Sequence, residues 1–489
     1  MQLLQQSLQM HSLNLLEMLI AQVKTGAITP PRMSMLPAAP VAAAAAMAPP
    51  RAPPAAASAA ASIKKSRAPP NPPPQMPSSP PQQSRFDFVD IGANLLDSMF
   101  DGEYRGKRCH QPDIDAVLAR AADAGVVRLI VTAGSLEESR AALDFIRTHR
   151  SRGSPVELFA TCGVHPTRSL EFLPPDERAQ VEAAMKALAD AETVAGKDVA
   201  DAAAAASVST SAAALAELEE AVLSRPHVTA AAEAHLAALR VIVEQGRDEG
   251  IVVAVGECGL DYDRLFFCPR GVQRAAFARQ LGLAASIGLP LFLHNRATGG
   301  DFGEMCTAHT AALAASAGSG TGTGTSTSGT GTGRGEVAFN GVVHSFDGDA
   351  PELSELLGLG LHIGLNGCSL RTAGNLDVAC QVPLEALHLE TDAPWCGIKK
   401  SHAGHKHTRP LLSTASGQTY PDLKKEKWEA GATVKDRSEP CHIVHVLQVL
   451  CGARNERGLG EAGAKDQAEE AKVAEAAYVN SMRMFWPHA

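Results

Sequence analysis

The sequence has no cysteine pattern of the kind that builds a disulfide framework. Its ten cysteines include no Cys-x-x-Cys pair and follow no regular spacing. At this length and density a disulfide-stabilised secreted protein is disfavoured, and a reducing compartment is the simpler interpretation. We therefore expect an intracellular protein, located in the nucleus or the cytoplasm.

Long apolar runs are missing as well. No segment approaches the roughly 18 apolar residues that a helix needs to cross a bilayer, so we expect no membrane partner. Residues Met1–Val23 have leucines spaced as in an amphipathic helix and precede a stretch rich in Ala, Ser and Pro. This pattern is typical of an organellar transit peptide, but the first 30 residues contain no arginine. A low-complexity tail with no targeting role explains the segment equally well.

Positive charge is scarce in the part of the chain that can fold. Residues 1–84 hold 16 of the 31 prolines together with long alanine runs, so they cannot bury enough apolar area to offset chain entropy, and we expect a disordered extension. They carry a net charge of +5 against −9 for the whole chain, which leaves −14 for residues 85–489. Such an acidic region argues against a broad grip on a phosphate backbone. It permits a phosphate substrate whose charge is balanced by bound cations.

What the chain does contain is a series of eight short apolar runs, mostly separated by helical periodicity. Eight buried strands that alternate with helices predict a TIM-type (β/α)8 barrel over residues 85–489. Two segments interrupt the alternation: an Ala-rich helical insertion at about 183–235, and one of almost pure Gly, Thr, Ser and Ala at about 311–335, which we expect to be a flexible loop. The predicted strands are residues 86–91, 126–131, 156–161, 251–257, 289–294, 341–346, 361–365 and 387–392.

Four apolar runs each end in a side chain that binds metal ions. They are residues 251–257, 289–294, 341–344 and 387–392, and they end in Glu257, His294, His344 and Asp392. Because the carboxyl ends of barrel strands meet at one face, we expect the four side chains to surround one metal centre. Two divalent cations that share the Glu257 carboxylate can hold a phosphate and activate a water together. Asp392 would bind the second cation and orient that water.

Each of these residues also has an ordinary structural explanation. A glutamate near a strand end is usually a surface ion pair or a helix cap, and a single histidine is usually a half-buried hydrogen-bonding group. Asp392 precedes Ala-Pro and would serve as a turn former. Their joint occurrence at four strand ends favours the metal centre.

The motifs around these residues resemble those of TatD-type metal-dependent deoxyribonucleases. The resemblance covers about 86–171, 238–310 and 336–486. The matching motifs are Cys162–Pro166 (CGVHP), Glu257–Arg264 (ECGLDYDR), Leu293–Arg296 (LHNR), Val343–Gly348 (VHSFDG) and Glu390–Trp395 (ETDAPW). Three more segments are similar to one eukaryotic branch, the TatD DNase domain-containing proteins: Asp90–Leu95 (DIGANL), Asn366–Leu370 (NGCSL) and Asp436–His442 (DRSEPCH).

This resemblance implies a TIM barrel with two divalent cations that hydrolyses DNA phosphodiester bonds, often as a 3′→5′ exonuclease. Carried over by motif, it makes Glu257 and Asp392 the catalytic residues. It adds His294 and His344 as metal ligands, with Glu257 bridging the cations, and it makes His165 and Arg296 the residues that hold phosphate. We expect the chain to act on DNA as a monomer.

One departure affects the choice of metal. Most members of the wider amidohydrolase-like superfamily carry His-x-His after the first strand, whereas the equivalent positions here are Gly92 and Asn94. Gly92 cannot bind a metal, and the amide oxygen of Asn94 is a weak ligand. One cation would therefore keep more water, which favours Mg²⁺ or Mn²⁺ over a tightly caged Zn²⁺, the alternative metal.

Two other functions and a few secondary residues stay open at this point. The same centre would suit a barrel hydrolase of small esters, amides or lactones, and a barrel that has lost turnover would act as a scaffold. The basic residues after the last strand would contact DNA or form a solvated loop, and Trp395 would stack on a base or pack beside its proline. Cys258 is better explained as a buried side chain than as a nucleophile. The basic residues are Lys399, Lys400, His402, His405 and His407.

Overall fold

The computed structural model describes residues 86–195, 202–318, 340–414, 416–460 and 466–488. These residues belong to one compact unit. The predicted N-terminal extension, residues 1–84, lies outside them, as does most of the predicted flexible loop. Among the described helices, none combines the length and the apolar character needed to cross a bilayer.

Eight parallel strands form a single sheet in which every strand pairs with the next along the chain. The predicted (β/α)8 barrel is therefore confirmed, and all eight predicted runs contribute a strand. The strands are β1 (Phe88–Ala93), β2 (Val126–Val131), β3 (Glu157–Cys162), β4 (Val252–Asp261), β5 (Leu291–Arg296), β6 (Gly341–Val343), β7 (His362–Leu365) and β8 (Leu387–Leu389).

Helices cover the outside of the barrel and fill the connections. They are α1 (Ile114–Asp123), α2 (Leu136–Ser151), α3 (Pro175–Ala195), α4 (Ala202–Leu223), α5 (Pro226–Asp248), α6 (Arg270–Ile287), α7 (Asp301–Gly318), α8 (Ala350–Gly358), α9 (Ala373–Ala379), α10 (Ile443–Glu456) and α11 (Asp466–Phe485). Short 3₁₀ turns occupy Ser98–Asp101, Pro166–Phe172, Leu384–Ala386, Ala403–His407, Lys425–Lys427 and Pro440–His442. Two short strand pairs lie outside the barrel: Glu103–Tyr104 with Lys107–Arg108, and Asp422–Leu423 with Thr433–Val434.

The two insertions differ in structure. The described part of the Ala-rich segment at 183–235 belongs to α3, α4, α5 and the turn between α4 and α5. Several of its apolar side chains pack with the start of α6. For the Gly/Thr/Ser segment the prediction is wrong at its beginning, because α7 continues through Gly318. The four alanines and one leucine at residues 311–315 have high helix propensity and extend the helix before the glycines begin. Residues 319–335 lie outside the described residues.

The C-terminal helix closes the end of the barrel away from the strand carboxyl ends. Met484 and Phe485 of α11 join inward-facing side chains such as Val89, Phe159 and Val253 in one buried cluster. Each fully buried side chain of this kind contributes about 1.5–3 kcal/mol. The opposite end, where the strands terminate, is left to polar side chains.

The junction between β8 and β1 is closed by residues that follow the strands. Among the described residues no ladder joins these two strands. Instead the Asp392 amide donates to the Gly92 carbonyl (2.8 Å), and the Asn94 amide donates to the Ala393 carbonyl (2.6 Å). The buried Asp90 carboxylate accepts from the Thr391 amide (3.0 Å) and hydroxyl (2.6 Å). Asp392 is thereby fixed against the end of β1.

Candidate metal centre

Glu257 lies inside a strand and not at its end. The predicted strand stops at this residue, but β4 continues to Asp261 and pairs with β5 from Val255 to Asp261. The register shifts between Val255 and Cys258, and an irregularity of this kind re-aims a side chain. A Cβ on Gly256 would lie 2.2 Å from the Phe292 carbonyl oxygen, so only glycine allows this close approach.

Three of the four predicted ligands meet at one carboxylate oxygen. Glu257 Oε1 lies 2.7 Å from His344 Nε2 and 2.8 Å from His294 Nδ1. The two imidazole nitrogens are 3.3 Å apart. A carboxylate and two imidazoles on β4, β5 and the end of β6 form a donor set that suits a divalent cation.

Each of the two histidines has a buried carboxylate behind it. His294 Nε2 lies 3.3 Å from Asp261 Oδ2, and His344 Nδ1 lies 3.7 Å from Glu390 Oε2. Such a carboxylate keeps the proton on the ring nitrogen that faces it. The other ring nitrogen, which faces Glu257, then has its lone pair available for a metal. Asp261 and Glu390 were not among the predicted site residues. Both residues belong to recognisable motifs, GLD and ETD. Their histidine partners are distant in sequence, so the motifs alone do not reveal these contacts.

Several buried polar atoms here lack a hydrogen-bond partner of good geometry among the described residues. They are both carboxylate oxygens of Asp261, Oε2 of Glu390, Nε2 of His294 and Nδ1 of His344. Buried polar groups are rarely left unpaired unless a ligand or ion completes the site. The surplus of negative charge around two imidazoles fits a bound cation.

The pKa shifts within the cluster also fit a bound cation. Burial alone would raise the pKa of Glu257, but the His344 and His165 imidazoles hold it well below its usual range. Burial would lower the pKa of His344, yet the Glu257 and Glu390 carboxylates raise it well above its usual range. The raised pKa of His344 reflects the negative charge that these carboxylates place around it. A divalent cation bound there would take the place of a proton.

His165 contacts the same carboxylate but presents a donor. Its Nε2 lies 3.3 Å from Glu257 Oε1, and the ligand atoms of His165, Glu257 and His294 all lie within 4.8 Å of one another. The Thr167 amide donates to Nδ1 of His165 (3.1 Å). Because Nδ1 is an acceptor, the neutral ring carries its proton on Nε2. In this tautomer the ring can donate to an oxygen, in keeping with a phosphate-holding role.

Asp392 is close enough to this cluster to interact electrostatically with Glu257 and His344. Among the described residues, none of its hydrogen bonds reaches Glu257 or the two histidines. Its Oδ1 accepts from the Asn94 amide group (2.7 Å), and its Oδ2 accepts from the Cys396 thiol (3.1 Å). Its backbone is left-handed, with φ of 50°, a conformation that Asp tolerates. Burial raises the pKa of Asp392 to about 6.

Gly92 and Asn94, which occupy the positions of the His-x-His motif, help to arrange neighbouring side chains. The Asn94 amide oxygen accepts from the Thr132 hydroxyl (2.8 Å), so Asn94 uses its nitrogen on Asp392 and its oxygen elsewhere. A Cβ at position 92 would lie 2.9 Å from Glu390 Oε2. Gly92 therefore makes room for the carboxylate that backs His344. Neither position offers a metal ligand in this arrangement.

Comparison with known proteins identifies the family. The family described as TatD related DNase matches residues 89–486. The chain belongs to the TatD-related DNase family. A deoxyribonuclease Tat-D from Schizosaccharomyces pombe is 30% identical over 75% of this chain and 89% of its own length. A 3′-5′ ssDNA/RNA exonuclease TatD from Erwinia tasmaniensis is 28% identical over 63% of this chain and 79% of its own length.

A solved structure supports the same fold. The crystal structure of an uncharacterized amidohydrolase from Saccharomyces cerevisiae is 28% identical, with a TM-score of 0.61, and covers 82% of this chain and 100% of that one. Membership of the TatD family together with the donor cluster at Glu257 indicates that the chain uses a divalent metal.

The remaining predicted residues of this TatD-family chain are placed as follows. Arg296 donates to Asp263 (2.9 Å) and Asp347 (3.0 Å), so a phosphate would compete with two carboxylates for its guanidinium. Trp395 is 52% exposed and free to stack on a base. Cys258 is fully buried, and that burial raises the pKa of its thiol, which excludes an activated nucleophile.

Proposed function

We propose that this protein is a metal-dependent deoxyribonuclease that hydrolyses DNA phosphodiester bonds, acting from the 3′ end. The observation that carries the proposal is the meeting of Glu257, His294 and His344 at one carboxylate oxygen on the carboxyl-end face of the barrel. The curated relatives support the substrate class, since they are named as a deoxyribonuclease and as a 3′-5′ exonuclease.

We assign two divalent cations, Mg²⁺ or Mn²⁺, to this site. Glu257, His294 and His344 would hold the first, and Glu257 with Asp392 the second. The cations would neutralise the phosphate and lower the pKa of a bound water. The looser surroundings of Asp392 favour metals that keep water ligands.

The side chains of the chain then have distinct tasks. Asp392, with a pKa of about 6, is ionised at neutral pH and can accept the proton of the attacking water. Asn94 and Cys396 hold its two oxygens in place. The Nε2 proton of His165 is available to a non-bridging phosphate oxygen. Arg296 is the second phosphate contact if substrate displaces one of its carboxylate partners.

We also propose that the chain acts as a monomer inside the cell. All ten cysteines are free, in keeping with a reducing compartment. The Ala/Pro-rich residues 1–84 would form a separate extension ahead of the catalytic region.

The test is digestion of end-labelled single- and double-stranded DNA with Mg²⁺ or Mn²⁺, with and without EDTA. Glu257→Gln should lower the rate at least about 100-fold, because the bridging charge is lost. Glu249→Gln is the matched control, since Glu249 precedes β4 at the other end of the barrel and pairs with Arg147.

Three results would reject the proposal. The first is a Glu257→Gln protein that keeps the wild-type rate and a normal metal content. The second is a metal-loaded wild-type protein that leaves DNA intact but turns over lactones or amides, which would make it a small-molecule hydrolase. The third is a wild-type protein that binds metal but turns over none of these substrates, which would indicate a scaffold.

A further inference from the structure

A second feature lies beside the metal centre: a cavity of about 630 Å³ between the loop after β8 and the start of α10. Its wall includes Cys396, whose thiol donates to Asp392 Oδ2. Only the Cys396 side chain therefore links the cavity wall to Asp392, the carboxylate that we propose to activate water. Its volume lies in the range of cavities that bind small molecules.

The wall of this cavity carries three exposed lysines, Lys399, Lys400 and Lys435. Lys435 interacts electrostatically with Asp422. Among the ion pairs of the described residues, none joins Lys399 or Lys400 to a carboxylate. Asp422 and Asp436 also line the wall, which leaves the lysines in excess. We call this feature the lysine cavity.

The arginine in the same wall already has its charge matched. The terminal nitrogens of Arg437 pair with the Asp113 and Glu439 carboxylates. The exposed lysines are therefore the cations of this wall that a phosphate could reach. The contrast with Arg296, whose charge is already matched by two aspartates, makes the lysine cavity the better place for a second phosphate.

We propose that the lysine cavity binds the nucleotide next to the scissile phosphate of a single-stranded DNA end, with its lysines contacting the neighbouring phosphate. The proposal rests on the proposed nuclease function. The cavity volume of about 630 Å³ lies within the range of cavities that hold a ligand of nucleotide size. Phosphate contacts of this kind position the substrate without selecting its sequence.

The experiment compares the wild type with the triple variant Lys399→Ala/Lys400→Ala/Lys435→Ala. Lys406→Ala is the matched control, because Lys406 belongs to the same loop, pairs with Glu456 and does not line the cavity. Binding of a fluorescent five-nucleotide DNA is measured by anisotropy at several salt concentrations. Turnover is measured on the same DNA and on bis(4-nitrophenyl) phosphate, a diester with no neighbouring phosphate.

The triple variant should raise Kd and KM for the DNA at least about tenfold and reduce the slope of log Kd against log salt by at least about 0.7. Its turnover of the small diester should stay at the wild-type level, as should both activities of Lys406→Ala. A methylphosphonate that neutralises the phosphate next to the scissile one should weaken binding to the wild type but not to the triple variant.

Three outcomes would overturn the proposal: unchanged DNA affinity and salt slope, an equal loss of small-diester turnover, or tighter binding of duplex than of single strand by the wild type. A wild type that cleaves neither substrate would count against the nuclease function. The anisotropy measurement still decides whether the cavity binds a DNA end.

Discussion

The two sides of the candidate metal centre are built differently. On one side Glu257 meets two histidines, and each histidine has a buried carboxylate behind it. On the other side Asp392 is held by an amide and a thiol, and Gly92 and Asn94 add no ligand. The first side offers three donor atoms whose orientation is fixed. A cation on the second side, as proposed, would need water and substrate to complete its coordination shell.

The largest expected effect concerns metal content. Glu257→Gln should lose both cations, because its carboxylate belongs to both halves, whereas Asp392→Asn should keep the first. Metal analysis of the purified proteins after gel filtration checks this, with Asp263→Asn, outside the cluster, as the control. Equal metal loss in Glu257→Gln and Asp392→Asn would remove the distinction between the two sides.

An intermediate effect is expected behind His294. Asp261→Asn keeps the size of the side chain but removes the charge that orients the imidazole, so affinity for the first cation should fall about 10- to 100-fold. Titration of Mn²⁺ by calorimetry measures it, and circular dichroism confirms the fold. Unchanged affinity would mean that Asp261 has only a packing role.

The smallest effect is expected at Asn94. Asn94→Ala removes one hydrogen bond to Asp392, which corresponds to about a three- to tenfold loss of kcat. Affinity for the first cation should stay the same, because Asn94 does not contact the Glu257 cluster. Steady-state kinetics at saturating metal, paired with the same Mn²⁺ titration, separate these quantities. A loss of Mn²⁺ affinity larger than the loss of kcat would show that the two sides are not independent.

Much of this arrangement could be predicted from local patterns. The apolar runs correspond to the eight barrel strands, and three of their polar ends meet as expected. The prediction failed in detail at Glu257, which lies at an irregularity within β4, and at residues 311–318, which extend α7. It also missed Asp261 and Glu390, since their roles depend on contacts with histidines 33 and 46 residues away along the chain.

The sequence by itself determined the strand order and which polar residues reach the open face of the barrel, because hydrophobic periodicity and strand ends are local properties. Only the tertiary structure decided which ring nitrogen of each histidine faces the Glu257 carboxylate. That choice is made by Asp261 behind His294, by Glu390 behind His344 and by the Thr167 amide at His165. The tertiary structure also brought three lysines around one cavity beside Asp392, since the loop that carries two of them folds against the start of α10.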